Sequence, residues 1–183
     1  MEPFSTIQLA MLKDLHGVMC TPGLWLGYAR LMKQAADILF SRSKTRTNVH
    51  QTPRADLAIP ATLLYGYAIE NAIKALVIKH NPITSGAEFT EYKNKSGWTN
   101  HKPVMLLESI KFGLDDDERN LLRVLSSFVI WAGKYPTSFG EIDLVISNQT
   151  TGKTSLIAAH ALDERGRIEF NQLFERILMG KKR

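Results

Sequence analysis

The sequence predicts a mainly all-α protein, an up-and-down bundle of five to six helices with a small β-hairpin ahead of the last one. Three observations carry this. Apolar residues recur at three- and four-residue intervals in segment after segment, the spacing of one helix face. Leu57 to His80 is apolar on nearly every side between Ala61 and Ile78, as expected of a helix enclosed by others. Proline, glycine or a run of acids stands at the ends of these segments, where helices start and stop.

Taken in order, Ser5 and Gln8 resemble a capping box, and Ile7, Met11, Leu12, Leu15 and Met19 then share a face, predicting a short first helix to about Met19. Thr21-Pro22-Gly23 breaks it. Leu24 to Phe40 is a second helix, with Trp25, Tyr28, Leu31, Met32, Ala35, Ala36 and Leu39 at the spacing of a buried stripe. Ser41 to Arg54 is basic and polar without a hydrophobic period and reads as a long loop.

Leu57 to His80 is the third helix. Asp56 can cap it, or Pro60 can sit in its first turn. Asn81 to His101 is polar and rich in turn formers, with Trp98 as its one large anchor, and reads as a second long loop projecting from the body. His101-Lys102-Pro103 opens a short fourth helix with Val104, Leu107 and Ile110 inward and Leu106 flanking, stopped at Gly113. Asp115 to Glu118 places four acids where the amino-end dipole of a fifth helix favours them. That helix carries Leu121, Leu122, Leu125, Phe128, Val129 and Ala132 inward and ends at Gly133 to Pro136. Glu141 to Ser147 and Thr154 to His160, rich in Ile, Val and Thr, predict the hairpin. Glu164 to Met179 closes the chain as a helix with Ile168, Leu173, Phe174 and Ile177 inward.

Composition fits one domain over residues 1–183, its helical core at about 24–136 plus 164–179: 44% of residues are hydrophobic and 22% charged, close to an average soluble protein. The net charge of +5 admits a polyanionic partner, with density only in Ser41 to Arg54 and the terminal Gly-Lys-Lys-Arg. Cys20 is the single cysteine, which excludes an internal disulfide and a thiolate zinc site and fits a reducing, cytoplasmic compartment. Glu2 and the lack of a long apolar run argue against a signal peptide, and no segment approaches the roughly 20 apolar residues that span a bilayer, so no membrane partner is expected.

Few motifs carry chemistry. Gly152-Lys153-Thr154 evokes a phosphate loop, but the required glycine five residues earlier is Ser147, and a hairpin turn explains it better. The five histidines stand far apart and never at the spacing of a helical metal site, so neither a metal nor another cofactor is expected. One polar stripe remains, running Thr62, Gly66, Glu70 and Lys74 through the apolar third helix with Asn71 beside it. Glu70 and Lys74 stand one turn apart in the favourable order, and burial would strengthen the incentive to pair. Lys134-Tyr135-Pro136 sits at a helix carboxyl end, where a cation caps the carbonyls and, with the phenol, could also hold an anion or stack on a base.

In order and spacing, Ala68-Ile69-Glu70-Asn71-Ala72-Ile73-Lys74-Ala75, then a polar loop, then His101 through Leu106 and Leu107, an acidic-started helix from Asp115, and Lys134-Tyr135-Pro136 resemble the HEPN superfamily of small helical-bundle domains. The resemblance covers roughly Leu24 to Pro136 plus the last helix. It implies an all-helical bundle, frequent homodimerisation, and involvement with RNA or nucleotides, often in microbial defence or toxin–antitoxin systems. Catalytic members carry an Arg-x4-6-His pair for metal-independent RNA cleavage, and no arginine here meets that spacing: Arg46 and His50 are too close, Arg42 and His50 too far apart. Lys134 stands where an arginine is commoner, and Lys102 where an aspartate often follows the histidine.

The expectation is therefore a non-catalytic or weakly active HEPN-like homodimer that binds RNA, a nucleotide or a protein partner. Glu70, Asn71, Lys74, His101, Lys134 and Tyr135 would line its site, with Arg42, Lys44 and Arg46 as a phosphate-contacting arm. Two alternatives stand beside it. One is a divergent ribonuclease with His101 as general acid or base and Lys74 or Lys134 stabilising charge; the other is a structural or adaptor dimerisation module.

Overall fold

The computed structural model describes residues 17, 19–43, 55–83, 86–95, 98–132, 145–147, 154–156 and 161–182. Among them are six helices: α1 (Pro22–Ser43), α2 (Ala55–His80), α3 (Gly86–Lys95), α4 (Pro103–Ser109), α5 (Asp116–Ser127) and α6 (Glu164–Met179). The chain leaves α5 through a π-helical turn, Phe128–Ala132. Val145–Ser147 and Thr154–Leu156 pair antiparallel over three residues each. The turn and flanks of the expected hairpin lie outside the described residues, as does nearly all of the expected first helix.

α2 is the axis of the bundle. Tyr65, Ala68, Ile69, Ala72, Ile73 and Val77 are all buried, because helices cover it on several sides, and the strip Ile59, Leu63, Tyr67 and Asn71 keeps partial access to water. Trp25 of α1 meets Lys74, while Asp37 and Phe40 meet Tyr65, so α1 runs antiparallel to α2. α6 runs parallel to α2, with Phe170 against Tyr65 at 4.5 Å and the α6 terminus at Gly180 beside Leu76. α5 is antiparallel again and crosses α2 closely at Gly66, where an added Cβ would stand 2.7 Å from Val129 Cγ2 and 2.9 Å from the Leu125 carbonyl oxygen.

The helix ends follow their local chemistry. Asp115 and Glu118 form a complete capping box at α5: the Asp115 side chain accepts from the Glu118 N–H at 2.8 Å, and Glu118 accepts from the Asp115 N–H at 3.0 Å. Asp163 caps α6 by accepting from the Gly166 N–H. α6 ends on Gly180 at φ 64, with the Lys181 N–H returning to the Arg176 carbonyl and the Gly180 N–H to that of Ile177, the double bond of a Schellman ending.

Five expectations are corrected. Residues 86–95 form α3 rather than open loop, with Phe89 buried and Tyr92 half-buried against the core. Ser41 to Ser43 belong to α1, so Arg42 stands in its last turn and not in a loop. Tyr28 and Leu31, expected inside, are exposed by 50% and 61%, and Ile168 of α6 by 48%. α1 is apolar on two faces, and the one chosen by packing carries Ala29, Ala36 and Phe40. Finally, Pro60 is the sixth residue of α2 and not in its first turn, and Leu57–His80 is long and apolar enough to cross a membrane by length and composition, although most of it is buried inside the fold.

Candidate functional site

Each member of the polar stripe on α2 meets a different part of the fold. Thr62 donates to the Ala58 carbonyl at 2.8 Å and accepts from the buried N–H of Leu162 at 2.9 Å, fixing the entry to α6. Gly66 is the α5 crossing. Glu70 and Lys74, buried to 5% and 8% residual exposure, face the segment that links α3 to α4.

Glu70 is the hub. Its Oε1 accepts from Lys74 Nζ at 2.5 Å, and its Oε2 lies 2.8 Å from His101 Nδ1. A carboxylate only accepts, so Nδ1 carries the proton in that bond. The imidazole is one-third exposed, at 33%, and among the described residues its second nitrogen makes no hydrogen bond. His101 is also one of two described non-glycine residues with positive φ, at 52°, a left-handed conformation that costs a side-chain-bearing residue energy.

Lys74 lies beside a pair of indoles, with Nζ 5.2 Å from the Trp25 ring centroid and 5.4 Å from that of Trp98. Ring faces are electron-rich and attract a desolvated ammonium. The indoles meet edge to face at 5.3 Å, and Phe89 and Tyr92 of α3 pack against Trp98 at 5.5 Å and 5.9 Å. Trp25 is fixed by its Nε1–H, which donates to the Met19 carbonyl at 2.7 Å.

Of the nine expected site residues, Glu70, Lys74 and His101 come together. Asn71 is half-buried beside them, Arg42 is exposed at the far end of α1, and Lys134, Tyr135, Lys44 and Arg46 lie outside the described residues. Trp25 and Trp98 belong to the cluster and were not expected there. The one signal in the sequence is for Trp98, the single large anchor of a polar segment, while Trp25 reads as one member of a helix stripe.

A separate cleft of about 230 Å³ opens between the start of α5 and α6, lined by Asp115, Asp117, Glu118, Leu121, Glu169, Gln172 and Leu173. Its acids serve the fold: Asp115 and Glu118 cap α5, Glu118 also accepts from Arg176 at 2.6 Å, and Glu169 pairs with Arg165. Elsewhere, burial and then the neighbouring Glu88 carboxylate push the Cys20 thiol up from its ordinary range, which leaves little thiolate at neutral pH. Among the described residues no three His, Cys, Asp or Glu side chains gather as a metal site would require. No protein-family model, curated protein or solved structure matches this chain.

Proposed function

We propose that this chain is a non-catalytic, HEPN-like helical module that binds RNA or a nucleotide. The observation that carries the reading is the engagement of Lys74. Its ammonium is held by Glu70 and packed against two indoles, so it is withdrawn from the charge-stabilising role a ribonuclease would need, while the His101 side chain stays one-third exposed. The net charge of +5 supports a polyanionic ligand.

Binding of a labelled single-stranded RNA, followed by anisotropy across a salt series, tests the reading. Affinity should fall steeply with salt as phosphate contacts lose their counterion gain. The RNA should stay intact with and without magnesium. Failure to bind at low salt overturns the proposal, and cleavage lost in His101→Ala would favour the ribonuclease alternative.

A second reading, a dimerisation module, is favoured by the outer face of α1. Tyr28, Leu31 and Ile38 lie at helical spacing on that face, exposed by 50%, 61% and 50%. Light scattering on the eluting protein should then give twice the 20.6 kDa chain mass, reverting to one chain in Leu31→Lys. A monomeric unaltered chain at high concentration excludes it.

A further inference from the structure

The fold uses only one of the two apolar faces of α1. Ala29, Ala36, Phe40 and Ser43 are buried, and Trp25, Met32 and Leu39 are half-buried against the core beside them. Tyr28, Leu31 and Ile38 stand in water on the other side. Together with Leu24, Ala35 and Arg42 they form a series spaced 4, 3, 4, 3 and 4 residues apart. That is the a/d spacing of a coiled-coil seam, and it runs through almost the whole of a 22-residue helix. A helix that served only its own bundle would need this series on its inner side, whereas here it faces outward.

The positions that flank such a seam select its partner by charge. Here they are Gly27, Gln34 and Ser41 on the solvent side, small or uncharged, and Trp25, Met32 and Leu39 on the core side. They neither repel a second copy of this chain nor offer an opposite charge to a different protein. The seam is also complementary to itself. Antiparallel pairing about a two-fold axis level with Lys33, the middle of α1, sets Leu31 on the partner's Ala35 and Tyr28 on the partner's Ile38. Leu24 then lies under the aliphatic stem of the partner's Arg42, whose charge stays in water. Parallel pairing would instead leave a gap between two alanines, bring two Arg42 guanidinium groups together and align the helix dipoles.

We infer that α1 pairs with its own copy through this outer seam, antiparallel, with Leu31 seated on the partner's Ala35. The inference rests on the dimerisation reading above and adds to it the seam, the orientation and the register. Both helices are already folded, so pairing carries no cost of helix nucleation. One helix pair lies at the low end of stable interfaces, which sets the dimer in equilibrium with the single chain at micromolar concentration.

Sedimentation equilibrium over a dilution series tests the inference with Gln34→Lys and Gln34→Glu, substitutions at an exposed position that spare the core. In the antiparallel register the two copies of residue 34 face one another, whereas in a parallel pair residue 34 faces Leu39. Each variant alone should dimerise about threefold more weakly at low salt. An equimolar mixture of the two should form the mixed dimer well above the statistical half, as counted by native mass spectrometry. A dimer that Leu31→Lys reduces to single chains but that the charges at position 34 do not affect overturns the antiparallel register and leaves the dimerisation reading intact. A dimer indifferent to Leu31→Lys overturns the seam. An unaltered chain that stays single at high concentration overturns both.

Discussion

At the residue scale, Glu70 holds two partners at once and the rest of the cluster depends on it. Removing it leaves the Lys74 ammonium buried against two indoles without a counter-charge, which for a buried pair costs about 3–5 kcal/mol. Urea unfolding of Glu70→Ala should register that loss, whereas Glu70→Leu combined with Lys74→Leu should lose far less, because no charge is then stranded. Equal damage in both variants would show that size, not charge, governs the position. Tyr65 gives a second residue-level expectation. Its hydroxyl donates to Asp37 at 2.7 Å, and burial, then that bond and the Asp37 charge, hold its proton on well above the ordinary tyrosine value of 10.0. Above about pH 10 the unfolded chain releases this proton and the folded chain keeps it, so stability falls as pH rises. Comparing urea midpoints at neutral pH and at pH about 10.5, the decline should be shallower in Tyr65→Phe. An unchanged slope would assign the alkaline loss to other groups.

At the scale of elements, the crossing of α2 and α5 depends on a missing side chain. A Cβ on residue 66 would meet a methyl that can shift and a backbone oxygen that cannot, at 2.7 Å and 2.9 Å. Gly66→Ala should therefore destabilise by about 1–3 kcal/mol, outweighing alanine's better helix propensity, as read from thermal unfolding. A neutral or stabilised variant would mean that the two helices separate easily. The helices that sequence made legible are those whose ends carry their own chemistry. Asp115 and Glu118 announce α5 and then cap it, and the apolar coat of residues 61–78 announces α2. α3 was not legible, because a ten-residue helix with only Phe89 and Tyr92 inward carries too short a period to stand out from a polar loop. The face of α1 was ambiguous for the opposite reason: it offers apolar residues on two sides, and only packing selects one.

At the scale of the whole molecule, the closing contact is between distant parts of the chain. Arg176 of α6 donates to Glu118 at 2.6 Å and to the Gly113 carbonyl at 3.0 Å, with its guanidinium 4.4 Å over the Phe112 ring. Lys182 donates to the Ile110 carbonyl at 2.7 Å, so the basic tail fastens to the end of α4. Arg176→Met keeps an unbranched apolar stem and loses these charge-assisted bonds. It should cost about 1.5–3 kcal/mol in chemical denaturation. No change would mean that the α5–α6 contact is held by its apolar residues alone. The candidate site shows the same dependence on distance. Its members come from residues 25, 70, 74, 98 and 101, and only the 70–74 step has a spacing that sequence can interpret.

The polar stripe of α2 has one more consequence. A helix apolar on every side could slide by a turn, or rotate, and still bury most of its surface. Thr62, Gly66, Glu70 and Lys74 prevent this, since each fits one neighbour only: the Leu162 amide, the α5 backbone, His101 and the paired indoles. A shift of one turn would bring Thr62 or Glu70 to the α5 crossing in place of Gly66 and part the two charges from the groups they meet. The four residues work as graduations on a ruler. Together they select which of its near-equivalent alignments the bundle adopts.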